Sequence, residues 1–214
     1  MVIKLVRHGE SLGNTGRVVP QISGDPDIPL TKHGKEQAKK VSTVIGREFI
    51  KSSLIYCSPY KRTQETLDEV LKASHLSRTE LRIYEDPRLR EVDFGYGDIE
   101  AQQEQRKVHG WFYYRYEGGE SPADCYDRTS VFLESMMRQV TRRNQDTVLI
   151  ITHGITIRCF VMRFLHLTVK QFNKIKNPDN CDVITIASNC DISEPDFTSQ
   201  KWAVKGLKLY GSIE

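Results

Sequence analysis

Two histidines stand where they could do chemistry. Arg7-His8-Gly9 follows the apolar run Val2 to Val6, and His153-Gly154 follows Thr147-Val148-Leu149-Ile150-Ile151-Thr152. Both runs read as short buried strands, and Gly9 breaks the first one. Each histidine then sits at the carboxyl end of its strand, the edge at which open α/β sheets bind ligands. If the two strands are neighbours, both imidazoles share one edge. A guanidinium beside an imidazole suits an anionic ligand. A third candidate is Arg62. Ser58-Pro59 reads as a helix start, with a capping hydroxyl and proline at the first helical position. Arg62 then falls about one turn in, where it joins the helix dipole in holding an anion.

The elements that must carry these groups can be read along the chain. Gly13 to Leu30 is rich in Gly, Pro, Asn and Asp, and is expected to form a loop over the His8 edge. Thr31 is a plausible N-cap for one amphipathic helix from Lys32 to about Ile50, with Ala38, Val41, Ile45 and Phe49 on its apolar face. Leu54–Cys57 and Arg82–Glu85 read as strands. Glu100 to Arg115 predicts one or two covering helices, and the aromatic run from Trp111 to Tyr116 reads as packing. Ser121-Pro122-Ala123-Asp124 has capping-box spacing. Ile155 to Leu165 is an apolar helix, so the amides after His153, that of Gly154 first, are expected to point at the ligand. Asn177-Pro178-Asp179-Asn180 is a turn, Val183 to Ala187 a strand, and Trp202 to Leu209 an edge strand. Strands alternating with helices imply a three-layer α/β/α fold with a mostly parallel mixed sheet.

Composition narrows the class. The chain of 214 residues is 38% hydrophobic and 28% charged, which fits one globular domain over 1–214. A net charge of +3 is too small to indicate nucleic-acid binding. No apolar run approaches a membrane span, and the chain enters a strand at once, without a signal peptide. Five cysteines without Cys-x-x-Cys spacing fit a reduced, cytoplasmic protein without structural zinc. His33, His75, His109 and His166 show no metal-ligand spacing, and no cofactor is called for.

These motifs resemble the histidine phosphatase superfamily, which includes cofactor-dependent phosphoglycerate mutase. Arg7-His8-Gly9 matches its nucleophile motif, His153-Gly154 its second-histidine motif, and Ser58 to Arg62 its second phosphate-binding arginine. Leu89-Arg90-Glu91-Val92-Asp93-Phe94-Gly95 matches the context of its proton-donor carboxylate, with Glu91 in that place. Asn14 takes the position of a phosphate-contacting asparagine. The resemblance implies a phosphohistidine intermediate on His8. Arg7, Arg62 and His153 would hold the phosphoryl oxygens, and Glu91 would protonate the leaving alcohol. His8 must be neutral to attack while Glu91 is protonated to donate, so activity is expected to be better below neutral pH than above it. A salt-bridged surface carboxylate is the plainer reading of Glu91, among Arg88, Arg90 and Asp93. Asp93, Glu120 and Asp124 are substitute acids.

Within the superfamily the mutase branch is the main alternative. Leu12-Gly13-Asn14, Val18 to Gly24 and Tyr96-Gly97-Asp98 depart from the mutase pattern and favour hydrolysis. Val108 to Arg115, Gly119 to Arg128 and Asn177 to Cys181 are similar to phosphoglycerate mutase-like proteins of plants and fungi, including a broad-range acid phosphatase. A broad-specificity phosphomonoesterase is therefore expected, acting on small phosphorylated metabolites or phosphopeptides. A low-activity module that binds a phosphorylated ligand is the alternative outside enzymes, and a nucleic-acid binder is a third.

Overall fold

The computed structural model describes residues 1–20 and 24–210. Seven strands form one sheet in the order β3-β2-β4-β1-β5-β7-β6. They are β1 Val2–Arg7, β2 Leu54–Cys57, β3 Arg82–Glu85, β4 Thr147–Thr152, β5 Val183–Ser188, β6 Phe197–Thr198 and β7 Trp202–Lys205. The first four lie side by side and parallel. β5 pairs antiparallel with β1, β7 with β5, and β6 with β7, so five of the seven strands run one way. β1 and β4 are direct neighbours, with Arg7 opposite Thr152. That pairing brings the two histidine motifs to one sheet edge.

Alternation along the strands builds a core on each face. Ile3, Leu5, Val148 and Ile150 pack with Phe132, Met136 and Phe160, from helices α5 (Pro122–Arg143) and α6 (Gly154–Leu165). Val6, Ile55, Leu149 and Ile151 pack on the other face, against α1 (Lys32–Ile45), α2 (Arg47–Ser52) and α3 (Lys61–Ala73). The three-layer α/β/α expectation holds. The other α-helices among the described residues are α4 (Ile99–His109) and α7 (Val169–Lys174). No helix among the described residues is long and apolar enough to cross a membrane.

Several local expectations hold. Thr31 caps α1 by accepting from Gly34 N, and Ser121 and Asp124 form a reciprocal capping box on α5. Asp124, one of the substitute acids, is thereby committed to capping. Three expectations fail for physical reasons. The single helix from 32 to 50 is two helices, because Gly46 at φ 87° ends α1 and opens α2. The apolar spacing runs on across that break because Ile45 and Ile50 face the same core. Ser58 does not cap α3; the helix begins at Lys61 behind Tyr60, and Ser58 has another partner. Trp202 to Leu209 is not an edge strand. β7 ends at Lys205, where Gly206 takes φ +103°, and β6 covers its outer side.

Candidate active site

His8 is set by backbone on both sides. Its amide donates to Thr152 O at 3.0 Å, and its carbonyl accepts from Asn180 Nδ2 at 3.0 Å. Its Nδ1 lies 2.7 Å from the carbonyl oxygen of Gly9, which can only accept, so Nδ1 carries the proton. Nε2 is then the bare nitrogen, and Arg62 Nε donates to it at 3.3 Å. Burial holds the His8 imidazole well below the usual histidine range, with Arg62 and Arg7 adding repulsion. The ring is therefore neutral, with a fixed tautomer and its lone pair on Nε2. Gly9 is in turn held by Thr66, whose hydroxyl accepts from Gly9 N at 3.0 Å.

His153 closes the back of the site. Its ring meets His8 edge-on at 5.1 Å between centroids and is wholly buried. Burial, then Arg62 and His8, hold it well below the usual range too. Its Nε2 is 2.8 Å from the hydroxyl of Ser58, which explains why Ser58 is not a helix cap. Its Nδ1 is buried without a partner. Tyr60 packs edge-on against the same ring.

The two arginines differ. Arg7 Nη1 donates to Pro178 O at 2.6 Å, and its Nε is a buried donor without a partner. Arg62 is 5% exposed and forms a two-pronged pair with Asp25, Nη1 to Oδ1 at 2.8 Å and Nη2 to Oδ2 at 3.0 Å. Orphaned buried polar atoms are rare in folded proteins, and two of the five among the described residues belong to Arg7 and His153.

A cavity of about 470 Å³ opens in front of His8. Arg7, Asn14, Asp25, Arg62, Glu91, Asp93 and Asn177 supply its charged and amide groups; Tyr60, Val92, Phe94, Tyr96 and Ile155 supply much of the apolar wall. The loop expected over the sheet edge does lie there, contributing Gly13, Asn14, Pro20, Gly24, Asp25 and Pro26. Its residues 21–23, part of the stretch read as departing from the mutase pattern, fall outside the described residues. Asn14 has its Oδ1 held by Ser11 N at 3.0 Å and Asn180 Nδ2 at 3.2 Å. That fixes its oxygen and leaves its amide NH2 as the group able to donate.

Glu91 is half-buried in the cavity wall. Its Oε1 accepts from Val92 N at 3.0 Å and Thr156 N at 3.3 Å, and its Oε2 from Ile155 N at 3.3 Å. The plainer reading as an ion-paired surface carboxylate fails, since Arg88 pairs with Asp86 and Arg90 with Glu120. Glu120, a substitute acid, is held by both Arg90 and Arg128. Asp93 remains on the wall, accepting from Gly95 N at 2.8 Å. The amides that open α6 were expected to face a ligand; those of Ile155 and Thr156 instead hold Glu91. Gly154 begins that helix and, like His153, does not line the cavity. Most of the aromatic run is packing, as expected: Trp111 stacks on Phe172 at 5.5 Å and Phe112 meets the same ring edge-on, while Tyr113 is exposed.

Sequence reasoning missed Ser58 as the partner of His153, Thr66 as the anchor of Gly9, Asn180 as the anchor of His8 and Asp25 on Arg62. Ser58 and Asn180 carried a visible signal, a serine and a turn asparagine near the motifs, but their local roles as cap and turn explained them first.

The profile of the histidine phosphatase superfamily, branch 1, matches residues 3–208. The chain belongs to that superfamily and is an enzyme of the histidine phosphatase type. It is 37% identical over 201 residues to a phosphoglycerate mutase-like protein of Arabidopsis thaliana, covering 84% of this chain and 71% of that one. It is 26% identical over 282 residues to the broad-range acid phosphatase of Saccharomyces cerevisiae, covering 86% and 84%. Among solved structures, a mycobacterial glucosyl-3-phosphoglycerate phosphatase complexed with VO3 superposes with a TM-score of 0.71 at 21% identity, covering 95% of this chain and 96% of that one.

Proposed function

We propose that this chain is a broad-specificity phosphomonoesterase working through a phosphohistidine on His8. The observation that carries the proposal is the state of that ring: neutral, buried, proton on Nδ1, bare Nε2 beside Arg62 on the cavity wall. A phosphoryl group placed between Arg7 and Arg62 meets Nε2 as nucleophile. The arginines stabilise charge on its equatorial oxygens, and Asn14 donates a further hydrogen bond. The leaving oxygen takes its proton from Glu91. Water then attacks the phosphohistidine, Glu91 takes the water's proton, and inorganic phosphate leaves. His153 acts from behind the nucleophile, its neutral ring held by Ser58, and keeps the phosphohistidine's surroundings rigid and dry.

Hydrolysis is favoured over phosphoryl transfer between glycerates by the charges on the wall. Among the described residues lining the cavity, Arg7 and Arg62 are the cations, against the carboxylates Asp25, Glu91 and Asp93. A mutase must also hold the carboxylate of its substrate, and no further cation serves it here. The cavity far exceeds a phosphate in size, and Tyr60, Phe94, Tyr96 and Ile155 give its wall apolar surface rather than a matched set of donors. That supports a wide range of leaving groups, in line with the named activity of the yeast relative.

The test is release of phosphate from p-nitrophenyl phosphate and 3-phosphoglycerate by wild type and His8→Ala, with 2-phosphoglycerate assayed in the same samples. Release that is lost in His8→Ala, without isomerisation, is expected. Isomerisation with little release would establish the mutase instead.

A further inference from the structure

Four of the five N–H donors of Arg62 are engaged in this structure. Nε donates to His8 Nε2. Nη1 donates to both the carbonyl and Oδ1 of Asp25, each at 2.8 Å, and Nη2 donates to Asp25 Oδ2 at 3.0 Å. The guanidinium also lies over the ring of Tyr60 at 4.9 Å. Arg62 can thus offer a phosphoryl oxygen one N–H while Asp25 stays in place. Arg7, by contrast, keeps a buried Nε without a partner.

We propose that Asp25 is a displaceable counter-ion of Arg62 that competes with the phosphoryl group for its guanidinium and so weakens the hold of the site on phosphate. This rests on the phosphatase reading of the same pocket. A carboxylate and a phosphoryl group take the guanidinium fork in the same two-pronged geometry, so they compete for it. The Arg62 side chain is 6% exposed and has no other place to go, whereas that of Asp25 is 30% exposed at the cavity wall and can move into water. A phosphate dianion brings more charge to Arg62 than the carboxylate it displaces. Breaking the Asp25 pair costs the same whichever anion enters, and the displaced carboxylate remains a negative charge beside Glu91 and Asp93. The competition therefore weakens the binding of monoanions and dianions alike, the dianion at least as much.

The experiment is equilibrium binding of inorganic phosphate, and of methyl sulfate as the monoanion, at pH 8 to wild type and Asp25→Asn. Removing the competitor should tighten phosphate about tenfold and methyl sulfate by no more than that. The gain should vanish when Arg62→Ala is added, because it acts through that fork. Asp25→Ser gives the same comparison if the asparagine variant folds poorly. Phosphate binding that is unchanged or weaker in the Asp25 variants overturns the proposal, and would make Asp25 a residue that merely orients Arg62. A gain that persists in the Arg62→Ala background overturns it as well. Binding needs no turnover, so this result is separate from the phosphatase reading, which fails if His8→Ala retains full hydrolysis.

Discussion

At the scale of residues, the site depends on two imidazoles kept neutral by burial. Both have folded-state pKa values below the ordinary value of about 6.5. As pH falls through that value, the unfolded chain takes up protons on His8 and His153 while the folded chain does not. The unfolded state then binds more protons, so stability must fall with falling pH. Urea midpoints measured from pH 7 to pH 5.5 should decline, and more shallowly in His8→Gln. An equal slope in both would show that His8 does not contribute. Ser58 fixes His153 through one hydrogen bond, so Ser58→Ala should lower kcat by up to about tenfold with KM nearly unchanged. Arg62→Ala should lower kcat/KM by roughly 10²–10³, since it removes a charged donor from the transition state. Unchanged kcat/KM would remove Arg62 from the site. His8, Arg7 and Arg62 were legible in the sequence because each stands beside a strand end or helix start with its own local signal. Asp25 was not, because it lies in a loop without periodicity and its partner is distant in sequence.

At the scale of elements, the loop that follows β1 and carries His8 is pressed onto α1 by two glycines. A β-carbon on Gly9 would stand 2.5 Å from Gly34 O, and one on Gly34 would overlap the carbonyl of Glu10. Glu10 O also accepts from Thr31 N at 2.9 Å, so the loop and the cap of α1 are one unit. Gly34→Ala should therefore cost roughly 1–3 kcal/mol despite the better helix propensity of alanine, and should lower activity by shifting Gly9. A thermal melt checks the first part; a stable, fully active variant would show that the loop has room to move. Helices were legible wherever apolar spacing and a capping residue agreed, as at Thr31 and Ser121. The break at Gly46 was hidden because both segments bury residues on the same face. The amides at the start of α6 were expected to reach a ligand, but helix position alone does not show that a distant carboxylate, Glu91, takes them.

At the scale of the molecule, one strand pairing makes the site. β1 and β4 are far apart in the sequence, and their parallel register sets His8 and His153 side by side. The two His-Gly motifs implied a shared edge only if those strands were neighbours. Neither strand names its partner, because apolar side chains on both faces suit many neighbours. The loop bearing Glu91 is tied to α5 by Arg128, which pairs with Glu120 and donates to Arg88 O at 2.6 Å. Glu91 is thus placed by a helix from the second half of the chain, which no local pattern around Leu89 to Gly95 reveals.

The central claim is that His8 becomes phosphorylated. Wild type and His8→Ala should be mixed briefly with p-nitrophenyl phosphate, quenched in alkali to preserve phosphohistidine, digested and examined by mass spectrometry. An alkali-stable, acid-labile phosphate on the peptide containing His8, formed within the first turnover and absent from the variant, is the predicted result. Turnover in wild type with no phosphate on His8, or hydrolysis undiminished in His8→Ala, would contradict it.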